Sequence, residues 1–288
     1  MALTRIALPA TPAAPRPART PLGPLHLLLP ALACAAALLA AGPVHAHDTL
    51  SGNVALVSDY VFRGLTQTWG QPALQGGANY AAAGFDAGFW GSSVNARSYP
   101  GGGDELDLIA SYGHSFGRGF SWRAGVHGYL YPGANLDHAG LPAQSLDTVE
   151  AKVALGWRWL TLQYNRALGN YFGASRAAGY RGSSRGTSYL QLDAVVPLAT
   201  AWTLALHAGH THYTTILAQP LPDGARNPDY SDYGVSLTRQ LDTHWSLAVA
   251  LTHATDAAFY GATASYLDAG DTLDIGGTRG FVTLQGSF

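Results

Sequence analysis

The feature that most constrains this chain is a period of two, recurring in segments longer than ordinary strands. Residues 202–208 place Trp202, Leu204 and Leu206 on one face and Thr203, Ala205 and His207 on the other. Residues 245–252 repeat it, setting Trp245, Leu247, Val249 and Leu251 against Ser246, Ala248, Ala250 and Thr252. Residues 149–157 oppose Val149, Ala151, Val153, Leu155 and Trp157 to Glu150, Lys152, Ala154 and Gly156. Successive side chains of a strand point to opposite faces, so each segment has one apolar face and one polar or small face. Helical periodicity is hard to find beyond residue 47.

Twelve such segments are predicted, at about 50–62, 72–82, 84–94, 104–115, 119–131, 146–157, 159–170, 187–197, 201–213, 230–240, 244–254 and 279–288. Most have the length that a tilted strand needs to cross a bilayer, roughly 9–11 residues or more, whereas soluble strands centre on about five or six. The connections alternate. Tight ones fall around Ala83-Gly84, Gly117-Arg118-Gly119, Arg158, Leu198-Ala199-Thr200 and Leu241-Asp242-Thr243. Long ones fall at about 63–71, 95–103, 132–145, 171–186, 214–229 and 255–278. This pattern predicts an all-β fold: a transmembrane antiparallel β-barrel of about 12 strands, with short periplasmic turns and long extracellular loops. Phe85, Trp122, Trp157, Trp159, Trp202 and Trp245 flank the tight turns, as an interfacial aromatic girdle would. A soluble sandwich would hold the same rings in its core, but it gives no reason for them to track the turns.

The first 46 residues read as a secretory signal peptide. Arg5, Arg16 and Arg19 precede an apolar run from Leu25 to Ala41, and Val44-His45-Ala46 supplies a small-x-small cleavage signature. The domains expected are therefore a signal peptide over 1–46 and a barrel over 47–288. The only cysteine, Cys34, lies inside the apolar run, so the mature chain would hold no disulfide or thiolate metal site. Three of the 16 basic residues leave with this segment, and the remaining 13 face 18 acidic ones. Such a balance excludes a typical nucleic-acid binder. No later apolar run is long enough for a membrane-spanning helix.

If the apolar faces meet lipid, the opposite faces line the lumen. The inward set then includes Gln75, Asn79, Asp86, Asp107, Arg123, His127, Glu150, Lys152, Gln163, Asn165, Gln191, Asp193, His207, Asp232 and Thr283. Of these, Asp107, Arg123, Glu150, Lys152, Gln163, Asp193 and His207 are the candidate pore-lining residues. They either form an aqueous path that tunes which solutes pass or pair with one another inside a narrow barrel. His207, His210 and His212 come closest to a metal cluster, yet only His210 and His212 share a strand face, too few for a site. No spaced nucleophile motif such as G-x-S-x-G is visible, and no cofactor is implied.

Residues 58–68 read SDYVFRGLTQT, followed by Pro72-Ala73-Leu74-Gln75-Gly76-Gly77 and by Gly84-Phe85-Asp86-Ala87-Gly88-Phe89-Trp90-Gly91-Ser92. These stretches resemble the Gcw_chp family of proteobacterial outer-membrane proteins, the TorF-type porins. The match is specific over about 58–92 and departs at Asp86, where the family pattern has a tyrosine-like residue. The resemblance implies an outer-membrane barrel and a pore, and it transfers no substrate. Asp59, Tyr60, Arg63, Gly64, Gln67 and Gln75 match its motif. Their structural reading is a first hairpin in which Gly64 relaxes the turn and Arg63 is held by a nearby carboxylate such as Asp59.

The function expected is a passive channel for small hydrophilic solutes in the outer membrane. The alternatives are a non-conducting barrel that binds or anchors through its loops, and a barrel enzyme, since the scaffold alone does not decide activity. The expected partners are outer-membrane lipid and lipopolysaccharide, which Arg176, Arg181 and Arg185 of loop 171–186 could meet. The terminal strand, with Val282, Leu284 and Phe288 on one face, resembles the signal that barrel-assembly machinery reads.

Overall fold

The computed structural model describes residues 49–288. The signal-peptide segment, residues 1–46, lies outside the described residues. Twelve strands form one closed antiparallel barrel: β1 Thr49–Val57, β2 Ala73–Ala82, β3 Phe85–Ser93, β4 Asp104–Phe116, β5 Phe120–Leu130, β6 Thr148–Trp157, β7 Leu160–Ala167, β8 Ser188–Ala199, β9 Trp202–His212, β10 Tyr230–Gln240, β11 Trp245–Ala254 and β12 Arg279–Ser287. Each strand pairs with its sequence neighbours. The ring closes where β12 pairs with β1, from Asn53↔Ser287 to Val57↔Thr283. Closure leaves no edge strand, the condition for a sheet surrounded by hydrocarbon.

The alternating pattern explains both surfaces. Leu56, Leu74, Leu108, Val153, Leu155, Leu192, Val249, Leu251 and Val282 are exposed on the outer wall, as lipid-facing side chains must be. At the short-turn end, the end that faces the periplasm in barrels of this kind, exposed rings form a belt: Phe85, Tyr112, Phe116, Phe120, Trp157, Trp159, Trp202, Trp245 and Phe288. Several rings touch, with Phe85 and Tyr112 4.7 Å apart and Phe120 and Trp157 6.0 Å apart. Arg158 and Arg239 lie over Trp157 and Trp202 at 5.4 and 5.6 Å.

The buried core fills the long-loop half of the barrel rather than a space between sheets. Tyr60, Leu65, Trp69, Tyr99, Tyr129, Tyr131, Leu136, Leu146, Tyr180, Leu217, Tyr230, Phe259, Tyr260 and Ile275 pack into one cluster, contributed mainly by inward-folded loops. Tyrosine suits this place because its ring supplies packing area and its hydroxyl still finds a partner.

One boundary differs in a way that matters. The alternation predicts a first strand over 50–62, but β1 ends at Val57 and the following loop, 58–72, turns inward. Within that loop Val61–Phe62 pairs with Leu65–Thr66 in a miniature hairpin, so the alternation of 58–62 belongs to its rising arm. Residues 168–170 likewise leave β7 for the loop above.

Candidate functional site

The inward hairpin of loop 58–72 reaches across the lumen. Its base is fixed close by: Asp59 Oδ1 accepts the Thr66 and Thr68 hydroxyls, and Arg279 Nη1 lies 3.3 Å from Asp59 Oδ2. Thr66 N donates to Ile275 O of loop 255–278, and Tyr99 bonds to Gln67. Tyr60 packs edge-on against Trp90 with ring centroids 5.5 Å apart.

The tip carries Arg63 to the far wall. Its Nη1 donates to Glu150 Oε1 at 2.9 Å and its Nη2 to Glu150 Oε2 at 2.7 Å, a two-pronged bond. Nη1 also donates to Tyr171 Oη at 2.9 Å. The guanidinium lies 4.1 Å from the Tyr189 ring centroid, 4.8 Å from Phe62 and 5.8 Å from Tyr171. Both partners are out of water, with side-chain exposure of 4% for Arg63 and 1% for Glu150. Burial is the largest single influence and works against the charge on Arg63, but the Glu150 carboxylate with Tyr171 and Tyr129 together outweighs it and holds the group well above the usual arginine range.

The expectation that Arg63 is held by Asp59 is therefore corrected. Asp59 is already engaged by two hydroxyls and Arg279, and the hairpin tip points away from it. The partner is Glu150, 87 residues away in sequence. Gly64, at φ +76, also does more than relax a turn: a Cβ there would sit 2.7 Å from Asp232 Cβ and 3.0 Å from Ala254 Cβ. The tip is thus pressed against β10 and β11. Arg63 itself has φ 48, so the two central residues of this turn are both left-handed. Such a turn favours Asn, Asp or Gly first, and an ordinary L-residue there costs roughly 1–2 kcal/mol. The Arg63 side chain's bonds to the wall oppose that cost.

The other candidate residues sit as follows. Arg123, Lys152, Gln163, Asp193 and His207 lie on the inner wall of β5 to β9, as their strand partners require. Asp107 and Glu150 also point inward but are buried beneath the loops. Charges pair around this wall. His127 Nε2 lies 2.8 Å from Asp107 Oδ2, and Arg123 Nη1 lies 3.9 Å from Asp86 Oδ2. His207 bridges two carboxylates, with Nδ1 2.5 Å from Asp193 and Nε2 2.8 Å from Asp232, so its ring can donate from both nitrogens. Tyr189 Oη reaches Asp232 at 3.0 Å across Gly209, where any Cβ would overlap that hydroxyl.

Lumen residues that were not among the candidates include Glu105, Tyr129, Tyr171, Tyr189 and Arg279. Glu105 accepts from Tyr131 Oη at 2.9 Å and Tyr129 lies 3.4 Å from Glu150. Glu105 stands one period of two above Asp107, which was a usable signal. Tyr129 and Tyr189 carry the same signal, two residues from His127 and Gln191 of the inward set, whereas Tyr171 lies in a loop and carries none. His210 and His212 face the outer wall, each paired singly, with Ser231 and Asp229. Among the described residues no group of three His, Cys, Asp or Glu side chains is placed to hold a metal.

A closed barrel with an apolar exterior, a charged inner wall and a loop drawn across its lumen defines a transmembrane β-barrel of the constricted kind. The chain belongs to the Gcw_chp family, a bacterial protein family of unknown function, whose model matches residues 40–288. Solved structures that it resembles include the KdgM porin in complex with disordered oligogalacturonate, at 11% identity over 83% of this chain and 99% of that chain, with a TM-score of 0.49. The NanC porin matches at 8% identity over 83% and 99%, with a TM-score of 0.48. OccD3 (OpdP) of Pseudomonas aeruginosa matches at 13% identity over 86% and 66%, with a TM-score of 0.39. No curated protein matches.

Proposed function

We propose that this protein is a porin of the Gram-negative outer membrane, passing small hydrophilic solutes by passive diffusion through a lumen that loop 58–72 constricts. The observation that carries this reading is the inner wall. It holds Asp86, Arg123, Lys152, Asp193 and His207 in a barrel whose exterior is apolar. Charges that served only to stabilise a narrow barrel would all be buried in mutual pairs, whereas the Arg123 side chain is 46% exposed and Asp193 and His207 are each 28% exposed. Export by cleavage of residues 1–46, and contact of the long loops with lipopolysaccharide, belong to the same proposal.

The test is conductance. Purified mature protein in planar bilayers is expected to give discrete steps, and removal of residues 61–66 is expected to enlarge them. Silence from both proteins would sink the channel reading. A second reading, a barrel that anchors or binds through its loops, is favoured by the buried tyrosine cluster that fills the long-loop half, and it predicts that silence. A serine-hydrolase reading would start from His210 and Ser231, whose Nδ1 and Oγ are 2.9 Å apart on the outer wall. Among the described residues no carboxylate bonds that imidazole, so we do not adopt it.

A further inference from the structure

The far wall of the lumen presents, to the tip of loop 58–72, a set of groups that together make a receptor for a planar cation. Glu150 offers both carboxylate oxygens side by side, and Tyr171 offers its hydroxyl at 2.9 Å from the same nitrogen that meets Oε1. The Tyr189 ring has the occupant's guanidinium carbon over it, 4.1 Å from the ring centroid. This combination suits a guanidinium better than an ammonium. A fork of parallel N–H groups matches a carboxylate twice, and a delocalised plane stacks on a ring at little hydration cost. Aromatic faces around a carboxylate are also a general means of capturing weakly hydrated cations.

The occupant in this structure is the chain's own Arg63, and its tether is unusual. Among the described residues, no backbone hydrogen bond ties 62–65 to the barrel wall; the polar links are those of the Arg63 side chain. The backbone at Arg63 is held in a left-handed turn that another residue type would adopt more readily. Replacing Arg63 in the cage by a free guanidinium therefore exchanges like bonds for like and breaks no backbone bond. Elsewhere on the inner wall Asp86 and Asp193 stand with Arg123, Lys152 and His207, and His207 bridges Asp193 to the buried Asp232.

We propose that the cage of Glu150, Tyr171 and Tyr189 recognises small solutes bearing a guanidinium group, which compete with Arg63 and release the loop tip. This deepens the channel reading and rests on it, because such solutes must reach the lumen. The site is a self-occupied one: Arg63 stands in for the ligand's head group.

The experiment uses the mature barrel in planar bilayers and in detergent, with methylguanidinium as probe, methylammonium as a cation without the fork, and methylurea as an uncharged analogue. In wild type, methylguanidinium is expected to alter conductance at a concentration at least roughly tenfold below methylammonium, the factor that one lost hydrogen bond to a charged group corresponds to. Methylurea is expected to do nothing. Arg63→Ala is expected to bind methylguanidinium more tightly than wild type by calorimetry, and Glu150→Gln to lose both effects. Should Arg63→Ala fail to fold, Arg63→Lys keeps the charge without the fork and serves the same comparison. A conducting wild type that does not distinguish the two cations overturns the cage while the channel stands. So does binding confined to Arg63→Ala with wild type unresponsive, which makes Arg63 a structural anchor alone. If no protein conducts, the channel reading fails, and calorimetric competition in wild type then decides whether the cage binds at all.

Discussion

Arg63 and Glu150 form the one fully buried two-pronged ion pair of the lumen among the described residues, and the energetics of such pairs are asymmetric. Removing a single partner strands a charge away from water, at about 3–5 kcal/mol, whereas replacing both by apolar side chains of similar size is near neutral. Arg63→Met and Glu150→Leu are accordingly each expected to lower the stability of the folded barrel by that amount, and the double variant to recover most of it. Urea unfolding in lipid vesicles reads the difference. The pH dependence follows from the raised pKa of Arg63. A cation whose folded pKa exceeds its unfolded value contributes fully below the unfolded pKa, and the contribution is lost only as pH rises through the folded value. The Arg63 side of the pair therefore leaves the urea midpoint unmoved across neutral pH, and any loss belongs to strongly alkaline solution. Gly64 makes a sharper local prediction. Gly64→Ala adds a Cβ against Asp232 and Ala254 at a positive φ, costing roughly 1–2 kcal/mol for the backbone alone. It should push the tip inward from β10 and change channel conductance without altering strand content by circular dichroism.

At the scale of elements, the strands were legible and the loops were not, for one physical reason. A strand's alternation is a local record of which face meets lipid, so the inward placement of Gln75, Asn79, Gln163, Asp193 and His207 could be read from a few residues at a time. The path of loop 58–72 depends instead on Glu150, Asp232 and Ala254, none of them near it in sequence. The same alternation even misled at 58–62, because the rising arm of an inward hairpin has the period of a barrel strand. Turn chemistry, by contrast, is local and testable. Asp242 Oδ1 accepts from His244 N at 2.7 Å and Trp245 N at 2.8 Å, and these two bonds hold its pKa below the usual carboxylate value. A depressed carboxylate contributes stability that is present above the unfolded pKa and lost as pH falls through the folded one. The urea midpoints of wild type and Asp242→Ala should thus differ at neutral pH and converge in acid. A difference that persists in acid would mean that the turn is held by something else.

For the whole molecule, the sequence-distant event is closure. Eleven of the strand pairs are between neighbours in the chain, joined by a turn or loop, but the pairing of β1 with β12 brings the two ends of the barrel together. Phe288 takes part: Gly52 N donates to Phe288 O at 2.7 Å and Phe288 N to Gly52 O at 3.0 Å, while the residue remains 75% exposed on the outer wall with its ring over Gly52. The backbone bonds do not depend on the identity of the side chain, so the ring contributes little to closing an already folded barrel. We propose instead that an assembly factor reads this exposed aromatic before closure and that the ring meets the membrane interface afterwards. Phe288→Ser should therefore separate two quantities. The purified, refolded barrel is expected to keep a wild-type urea midpoint within about 1 kcal/mol, the range of a surface substitution. Its yield in the outer membrane of cells is expected to fall severalfold, measured by fractionation and by the shift in gel mobility between heated and unheated samples. Equal yields in cells would show that assembly does not read the ring, and a large drop in the midpoint would make Phe288 a structural residue of the seam.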